Sequence, residues 1–111
     1  MKYEEILPVA KEQAEKVFGR NISDEIVQAL LGVTWHVADW EWVQDRCLRF
    51  LDSPWPAVRD TAITCLGHLA RIHKKLNTPK VLDALTKKLA DPACSGRAED
   101  AMEDIEMFIP K

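Results

Sequence analysis

Glycine, tyrosine and cysteine are all scarce in this sequence. Its 111 residues include 4 Gly, 1 Tyr and 3 Cys. So few glycines leave little material for loops that cradle phosphates, and the sequence has no G-x-S-x-G, H-E-x-x-H or phosphate-loop motif. The widely spaced Cys47, Cys65 and Cys94 suit reduced thiols packed as small hydrophobes better than a disulfide framework. These absences argue against the common catalytic motifs and against a small disulfide-rich fold.

Long apolar runs are also missing. The sequence has no run of about eighteen apolar residues, so no transmembrane span is predicted. The beginning, MKYEEILPVAKEQ, lacks the uninterrupted apolar core of a secretory signal, and we therefore expect a cytoplasmic protein with no membrane partner. With 47% hydrophobic and 30% charged residues and a net charge of -3, the composition is that of an ordinary globular domain. The length predicts one domain with one core.

Apolar residues recur with helical spacing along most of the chain, and helix breakers separate six segments. The predicted helices cover about residues 3–18, 23–35, 39–52, 56–75, 79–90 and 95–108. We expect Gly19 to end the first helix, Ser23 to cap the second and Asp39 to cap the third. Prolines in SPWP must separate the third helix from the fourth. Because the turns are short, neighbouring helices are expected to be antiparallel in an all-α fold.

The fourth and sixth predicted helices carry clear apolar stripes. The stripe of the fourth comprises Val58, Ala62, Cys65, Leu69 and Ile72. The opposite side, which we expect to face solvent, carries Asp60, Thr64, Gly67 and Arg71. In the sixth helix the apolar side holds Ala98, Met102, Ile105 and Ile109, and the polar side holds Glu99, Glu103 and Glu106. Each helix is thus predicted to have one buried side and one exposed side.

Similar residues recur when the sequence is moved along itself so that Val43 falls on Leu82. The same displacement, which we call the repeat shift, aligns Phe50 with Leu89, Asp52 with Asp91, Ala62 with Ala101 and Leu66 with Ile105. A repeating unit of this length that contains two helices is typical of an α-solenoid.

The segment LDSPWPAVRDTAITCLGHL resembles a HEAT-like repeat, and LADPACSGRAEDAMEDI is a looser second copy. The matching positions are Leu51, Asp52, Pro56, Val58, Arg59, Ala62, Leu66, Gly67, Leu69, Asp91, Pro92, Arg97 and Ala101. The resemblance implies one domain over residues 1–111, a short α-solenoid of about six antiparallel helices. Its parts would be a degenerate helix pair at 1–37, the best-matching repeat at 38–75 and a looser repeat at 76–111.

The resemblance also assigns roles to single residues. It implies that Asp52, Arg59, Asp91 and Arg97 tie adjacent repeats together. Trp55 stands where such repeats commonly carry an N-capping Asp, so a cap worth ~1 kcal/mol is expected to be missing.

Longer stretches, among them GVTWHVADWEWVQDRCLRFLDSP and TAITCLGHLARIH, are similar to small bacterial HEAT-like proteins of contact-dependent growth inhibition and polymorphic toxin loci. The similarity implies an immunity protein, that is, an antitoxin that binds a cognate toxin domain without catalysing a reaction.

The repeat predicts a row of polar residues along the inner helices. The repeat shift sets Asp60 beside Glu99, Thr64 beside Glu103 and Gly67 beside Glu106, and Asp24, Gln28 and Trp35 fall on the corresponding side of the second helix. Inner helices line the concave surface of a solenoid, where partners bind. An acidic strip there is expected to repel nucleic acid and to attract a basic nuclease, whose active site it would cover. The alternative is a solvated charged face.

The tryptophans divide by helical position. Trp40 falls with apolar residues and is predicted to be core, whereas Trp42 falls on the polar side near Arg46. Trp35 and Trp55 lie at helix ends, where they either seal the core or anchor a partner. The predicted partner-binding set is therefore Asp24, Gln28, Trp35, Trp42, Trp55, Asp60, Thr64, Glu99, Glu103 and Glu106.

Two other kinds of site are weakly supported. His68 and His73 would point about 140° apart on a helix, so they and Cys65 do not converge, and we expect no metal and no cofactor. A basic patch of Arg71, His73, Lys74, Lys75, Lys80, Lys87 and Lys88 lacks interleaved aromatic residues, so no nucleic-acid partner is expected. The alternative functions are an enzyme similar to HEAT-like DNA glycosylases, for which the groove has the wrong charge, and a protein-interaction adaptor.

Overall fold

The computed structural model describes residues 10–110, and this part of the chain forms six α-helices without any strand. The helices are α1 (Lys11–Arg20), α2 (Ser23–His36), α3 (Trp40–Phe50), α4 (Pro56–His73), α5 (Thr78–Lys88) and α6 (Ser95–Phe108). The all-α prediction is confirmed. Residues 3–9 of the first predicted helix lie outside the described residues. Within residues 10–110, no helix has both the length and the apolar character that crossing a bilayer requires.

Helix ends follow local chemistry with two corrections. Gly19 does not end α1; Asn21 does so at a φ of 59°, because Asn tolerates the left-handed conformation. Ser23 is the first residue of α2 rather than its cap. The cap predicted at Asp39 is confirmed, since its carboxylate accepts the backbone N–H of Trp42 at 3.2 Å. Trp55 precedes α4 without a side-chain cap bond, as predicted.

The helices form three consecutive hairpins in two layers. Helix α4 packs against α2 on one flank, against α6 on the other and against α3, while α1 packs on α2 and α5 on α6. We call α2, α4 and α6 the inner layer and α1, α3 and α5 the outer layer. The predicted short α-solenoid of antiparallel helices agrees with this arrangement.

The second and third hairpins have equivalent boundaries. Helix α4 begins at Pro56 and α6 at Ser95, and the repeat shift aligns these two residues. The polar caps of α3 and α5 are Asp39 and Asn77, and both accept a backbone N–H three positions later. The two caps are slightly closer in sequence than the repeat shift, because the connection before α6 (89–94) is longer than the connection before α4 (51–55). The period is therefore visible in the structure, while the assignment to HEAT-like repeats stays a prediction.

Close packing of α4 on α6 corrects one predicted helix face. Gly67 was predicted to face solvent, but it is buried. A Cβ built on Gly67 would lie 3.0 Å from Oδ2 of Asp104 and 3.3 Å from the Cα of Ala101. Because α4 is the central inner helix, both of its flanks are buried. The side of α4 that carries Gly67 is therefore a contact surface. At the end of the opposite stripe, Ile72 was predicted to be buried but is 36% exposed.

Ion pairs bridge the outer layer. Asp39 at the start of α3 pairs with Lys11 of α1, and Arg46 approaches Glu15 at 3.4 Å. Acids of α3 and of the turn that follows it pair with α5, Asp45 with Lys80 at 3.5 Å and Asp52 with Lys88 at 2.8 Å. Because most of these side chains are substantially exposed, the pairs add little stability in water.

A buried amide supplies a stronger link between the second and third hairpins. Gln44 on α3 is 1% exposed. Its Oε1 accepts the backbone N–H of Asn77 at 2.6 Å, at the residue that caps α5. Removing this acceptor would leave the part-buried N–H of Asn77 without its partner, which costs free energy. Gln44 therefore fixes where α5 begins relative to α3.

We predict that Gly67→Val lowers the free energy of unfolding by at least about 2 kcal/mol relative to wild type, because the added carbons overlap the backbone of Ala101. The matched control is Gly19→Val, since Gly19 is also helical but has no atom within 4 Å of a built Cβ. The control should be neutral or slightly stabilising. Urea unfolding followed by circular dichroism measures both, and equal effects at the two glycines would contradict close packing at Gly67.

Candidate interaction surface

The solvent side of the inner layer is a shallow groove. A concavity of about 490 Å³ crosses all three inner helices. Its lining comes from α2 (Leu31), from α4 (Ala57, Asp60, Thr61 and Thr64) and from α6 (Arg97). The predicted site residues Asp60 and Thr64 are therefore neighbours in one groove.

Positive charge in this groove contradicts a continuous acidic strip. Arg97 of α6 donates to Oγ1 of Thr64 at 3.4 Å, and its Nε lies 3.6 Å from Oδ2 of Asp60. On the other side of the same carboxylate, Nε of Arg59 lies 3.6 Å from Oδ1. Two guanidinium groups thus flank Asp60. The charge of this carboxylate is compensated, so the inner groove is not a uniformly acidic trough.

Two of the four residues expected to tie adjacent repeats together do so, namely Arg97 and Asp52, whereas the ion pair of Arg59 lies within α4. Arg97 joins the third hairpin to the second through Asp60, and Asp52 does the same through Lys88. Asp91 acts within its own loop, where Oδ1 accepts the backbone N–H of Ala93 at 2.9 Å.

The three predicted glutamates lie at the end of the helix stack. Asp60, Thr64 and Gly67 occupy the side of α4 that α6 covers. The repeat shift places Glu99, Glu103 and Glu106 on the equivalent side of α6. Within residues 10–110, α6 packs mainly on α4 and α5, and the side that carries the glutamates stays exposed. The glutamates therefore do not line the groove that Asp60 and Thr64 share, and their part in partner binding stays a prediction.

Helix α6 is strongly acidic. It carries one basic residue, Arg97, and five acids, namely Glu99, Asp100, Glu103, Asp104 and Glu106. None of these five acids has an ion pair within the described part of the chain. The uncompensated negative charge of the inner layer is therefore concentrated on its last helix.

An apolar groove adjoins the glutamates. It has a volume of about 390 Å³ between α5 and α6 and is lined by Thr78, Leu82, Met102, Ile105, Glu106, Ile109 and Pro110. Met107, which is 73% exposed, lies beside Glu103 and Glu106 in an adjoining depression. We call this groove, together with Glu99, Glu103, Glu106 and Met107, the end surface. Sequence reasoning placed Met102 and Ile109 on the apolar side of α6 but had no signal that an open groove lies there.

The tryptophans are in three separate places. Trp35, 44% exposed, lies on the last turn of α2 with its ring centroid 5.5 Å from that of His68. Trp55, 43% exposed, is at the start of α4. Trp42 is half-buried in the outer layer, covered by Arg46 at 5.9 Å, as predicted, and by Lys11 at 5.4 Å. These positions do not combine into one aromatic anchor.

The remaining predicted residues stand apart from these clusters. Trp40 is half-buried and packs against the core. Asp24 and Gln28 are exposed on α2 and take no part in the ion pairs that organise the inner groove. Cys47, Cys65 and Cys94 are buried thiols, and Sγ of Cys65 lies 3.9 Å from the carbonyl oxygen of Leu30.

The predicted basic patch is divided among several partners. Lys80 pairs with Asp45, Lys88 pairs with Asp52, and Lys87 pairs with Asp83 at 3.5 Å. Arg71 and Lys74 lie over the ring of Phe108 at 5.8 and 5.3 Å. Among residues 10–110 there is no group of three or more His, Cys, Asp or Glu side chains that could hold a metal ion.

A solved structure has the same arrangement of helices. One chain of the crystal structure described as a CDI complex from Cupriavidus taiwanensis LMG 19424 superposes on this chain with a TM-score of 0.87. The two sequences are 28% identical, and the alignment covers 97% of each chain. No protein-family model and no curated protein matches the sequence. The likeness extends over nearly the whole chain and so is not confined to one hairpin.

His68 provides a test of the packing around Trp35. Burial lowers the pKa of His68 below its usual value, nearby Arg71 lowers it further, and Asp104 partly opposes both effects. The folded protein therefore favours the neutral imidazole. In the unfolded chain the pKa is about 6.5, so protons bind there first as the pH falls. Stability from His68 is present above about pH 6.5 and is lost as the pH falls through the folded pKa.

We predict that His68→Gln reduces the loss of stability between about pH 7 and pH 5, because Gln does not titrate. The measurement is the free energy of unfolding in urea across this range, compared between variant and wild type. Only the slope against pH is diagnostic, since the substitution also changes the contact with Trp35. Parallel curves for the two proteins would show that His68 titrates alike in both states.

Proposed function

We propose that this protein is an immunity protein of a contact-dependent growth inhibition (CDI) system, which binds a cognate toxin domain and neutralises it. The observation that carries the proposal is the full-length likeness to a chain of a CDI complex, at a TM-score of 0.87 and 28% identity. The similarity of residues 32–54 and 61–73 to small bacterial proteins of such loci supports the same function. The structural likeness and the sequence similarity both support a protein that acts by binding another protein.

The charge of the surface supports a basic partner. None of the five acids of α6 forms an ion pair among the described residues, and the one basic residue of α6, Arg97, is engaged by Asp60 and Thr64. A nuclease must bind phosphates, so its substrate cleft is positive. We propose that the toxin is a nuclease and that the immunity protein covers its cleft, excluding substrate by steric cover and by charge. The same negative field would repel nucleic acid from the immunity protein itself.

Inhibition by covering the substrate cleft of the toxin requires no catalysis by this chain, and we propose that the protein is not an enzyme. Its function would rest on affinity, which depends on a few well-packed contacts more than on the total area buried. Such contacts need large apolar side chains at the surface. Met107, Trp35 and Trp55 are side chains of this kind, and all three are exposed.

We predict that this protein protects cells against the C-terminal domain of the polypeptide encoded immediately upstream of its gene. Cells that express this domain should stop growing, and co-expression of the immunity protein should restore growth. The two purified proteins should co-elute as a complex. An immunity protein of an unrelated toxin is the control for specificity. Toxicity that persists at equal expression, without a complex, would refute the proposed function.

A second prediction concerns the rate of association. Long-range attraction between the acidic helix and a basic toxin should accelerate binding, and salt screens it over a Debye length of about 8 Å at physiological ionic strength. Raising the salt from about 0.05 to about 0.5 M should lower the association rate constant by about tenfold, with a smaller change in the dissociation rate. Surface plasmon resonance measures both rates. Association that does not depend on salt would contradict a charge-steered encounter.

A further inference from the structure

The contact between α4 and α6 shows how one inner helix docks on the side of its neighbour that would otherwise face solvent. Arg97 of α6 reaches Asp60 and Thr64 of α4 at 3.6 and 3.4 Å. One turn beyond Thr64, the backbone of α6 closes on Gly67. A cation thus binds the polar end of the contact, and close backbone packing forms the other end.

The end surface presents the equivalent side of α6. At the positions of Asp60 and Thr64 it has Glu99 and Glu103, and at the position of Gly67 it has Glu106. All three positions are acidic, where α4 has one acid, one hydroxyl group and one residue without a side chain. A helix that docks here would need more than one cation. Because Glu106 prevents the close backbone approach that Gly67 allows, the helix would sit further away and fill the gap with longer side chains.

Apolar surface for such a helix is available next to the acids. The groove of about 390 Å³ between α5 and α6 is open beside Glu106 and is formed mainly by Leu82, Met102, Ile105 and Ile109. Exposed Met107 lies in the depression that Glu106 shares with Glu103. Methionine is flexible and adapts to irregular partners, which suits a binding surface. The end surface therefore has an apolar channel with an acidic border.

We propose, building on the proposed function, that the toxin domain places a basic amphipathic helix on the end surface and so continues the inner layer as a further helix. Its apolar side chains fill the groove between α5 and α6, and its Arg or Lys side chains pair with Glu99, Glu103 and Glu106. Recognition by an amphipathic helix in an apolar groove is a common mode of protein binding.

Charge selects this occupant over a second copy of the chain. A symmetric contact between two end surfaces would bring their glutamates together, and like charges at an interface are costly. The whole chain has a net charge of -3, so another copy is not a generally basic partner. A nuclease domain carries the complementary positive charge, because it binds the phosphates of its substrate.

The test is the affinity of the purified toxin domain encoded upstream for two matched triple variants. Glu99→Lys, Glu103→Lys and Glu106→Lys together reverse the end surface. Glu12→Lys, Glu41→Lys and Asp83→Lys together make the same change in net charge at exposed sites of the outer layer. We expect the first variant to bind at least about 100-fold more weakly and the second to bind within about threefold of wild type. Circular dichroism establishes that each variant is folded.

A second measurement maps the docking site in the otherwise unchanged protein. A photo-crosslinking amino acid at position 107 should couple to the toxin domain, and the same group at position 41 of the outer layer should not. If the wild-type protein fails to bind the toxin domain, the proposed function fails and the inference fails with it. If the wild-type protein binds but the end-surface variant binds equally well and position 107 does not couple, the inference alone is overturned. Coupling at position 35 instead would overturn it as well and assign docking to the inner groove.

Discussion

The close approach of α4 and α6 at Gly67 determines how the rest of the chain is arranged. A Cβ here would lie 3.3 Å from the Cα of Ala101, so the two backbones are closer than a residue with a side chain would readily allow. Because α4 is packed on α6 here and on α2 along its other flank, it becomes the central helix of the inner layer. This arrangement orients α6, and the orientation of α6 decides which of its sides is left exposed. The end surface is thus exposed because the opposite side of α6 is packed on α4 at Gly67.

The two layers are held by different physical forces. Inner helices are joined mainly by close apolar packing, which salt does not weaken, with the pair of Arg97 and Asp60 as a polar contact between α6 and α4. Outer helices are bridged largely by exposed ion pairs, such as Asp45 with Lys80, which salt weakens. Gln44 is the exception, because the hydrogen bond from Asn77 to its buried side chain fixes the third hairpin against the second. The exposed side of α6 therefore rests on the closely packed layer and on the hydrogen bond at Gln44, so a partner would meet a preorganised surface.

The periodicity of one helix predicts which of its sides is apolar and which is polar. It does not predict which neighbouring helix covers each side. The six helices, the repeat shift and the cap at Asp39 could be read from the sequence, because each depends on local spacing. The burial of Gly67 could not, since a residue without a side chain suits both solvent and a close helix contact. The repeat shift also pairs Thr64 with Glu103, but α4 is covered by α6 on that side, whereas α6 is exposed there. The groove beside Met102 depends on the placement of two helices, so no single stretch of sequence encodes it.

The acids of α6 are placed against local rules of helix stability. The end of a helix stack needs a polar surface, and a mixture of Lys and Glu would provide one. Instead Glu99 and Glu103, one turn apart, carry the same charge, and such pairs weaken a helix. Glu106 also lies in the last turn of α6, where the helix dipole disfavours negative charge, and this turn has no basic residue. Local rules of helix stability are broken mainly where function demands it. A basic partner helix would relieve both penalties at once, because its cations would offset the repulsion and complement the dipole.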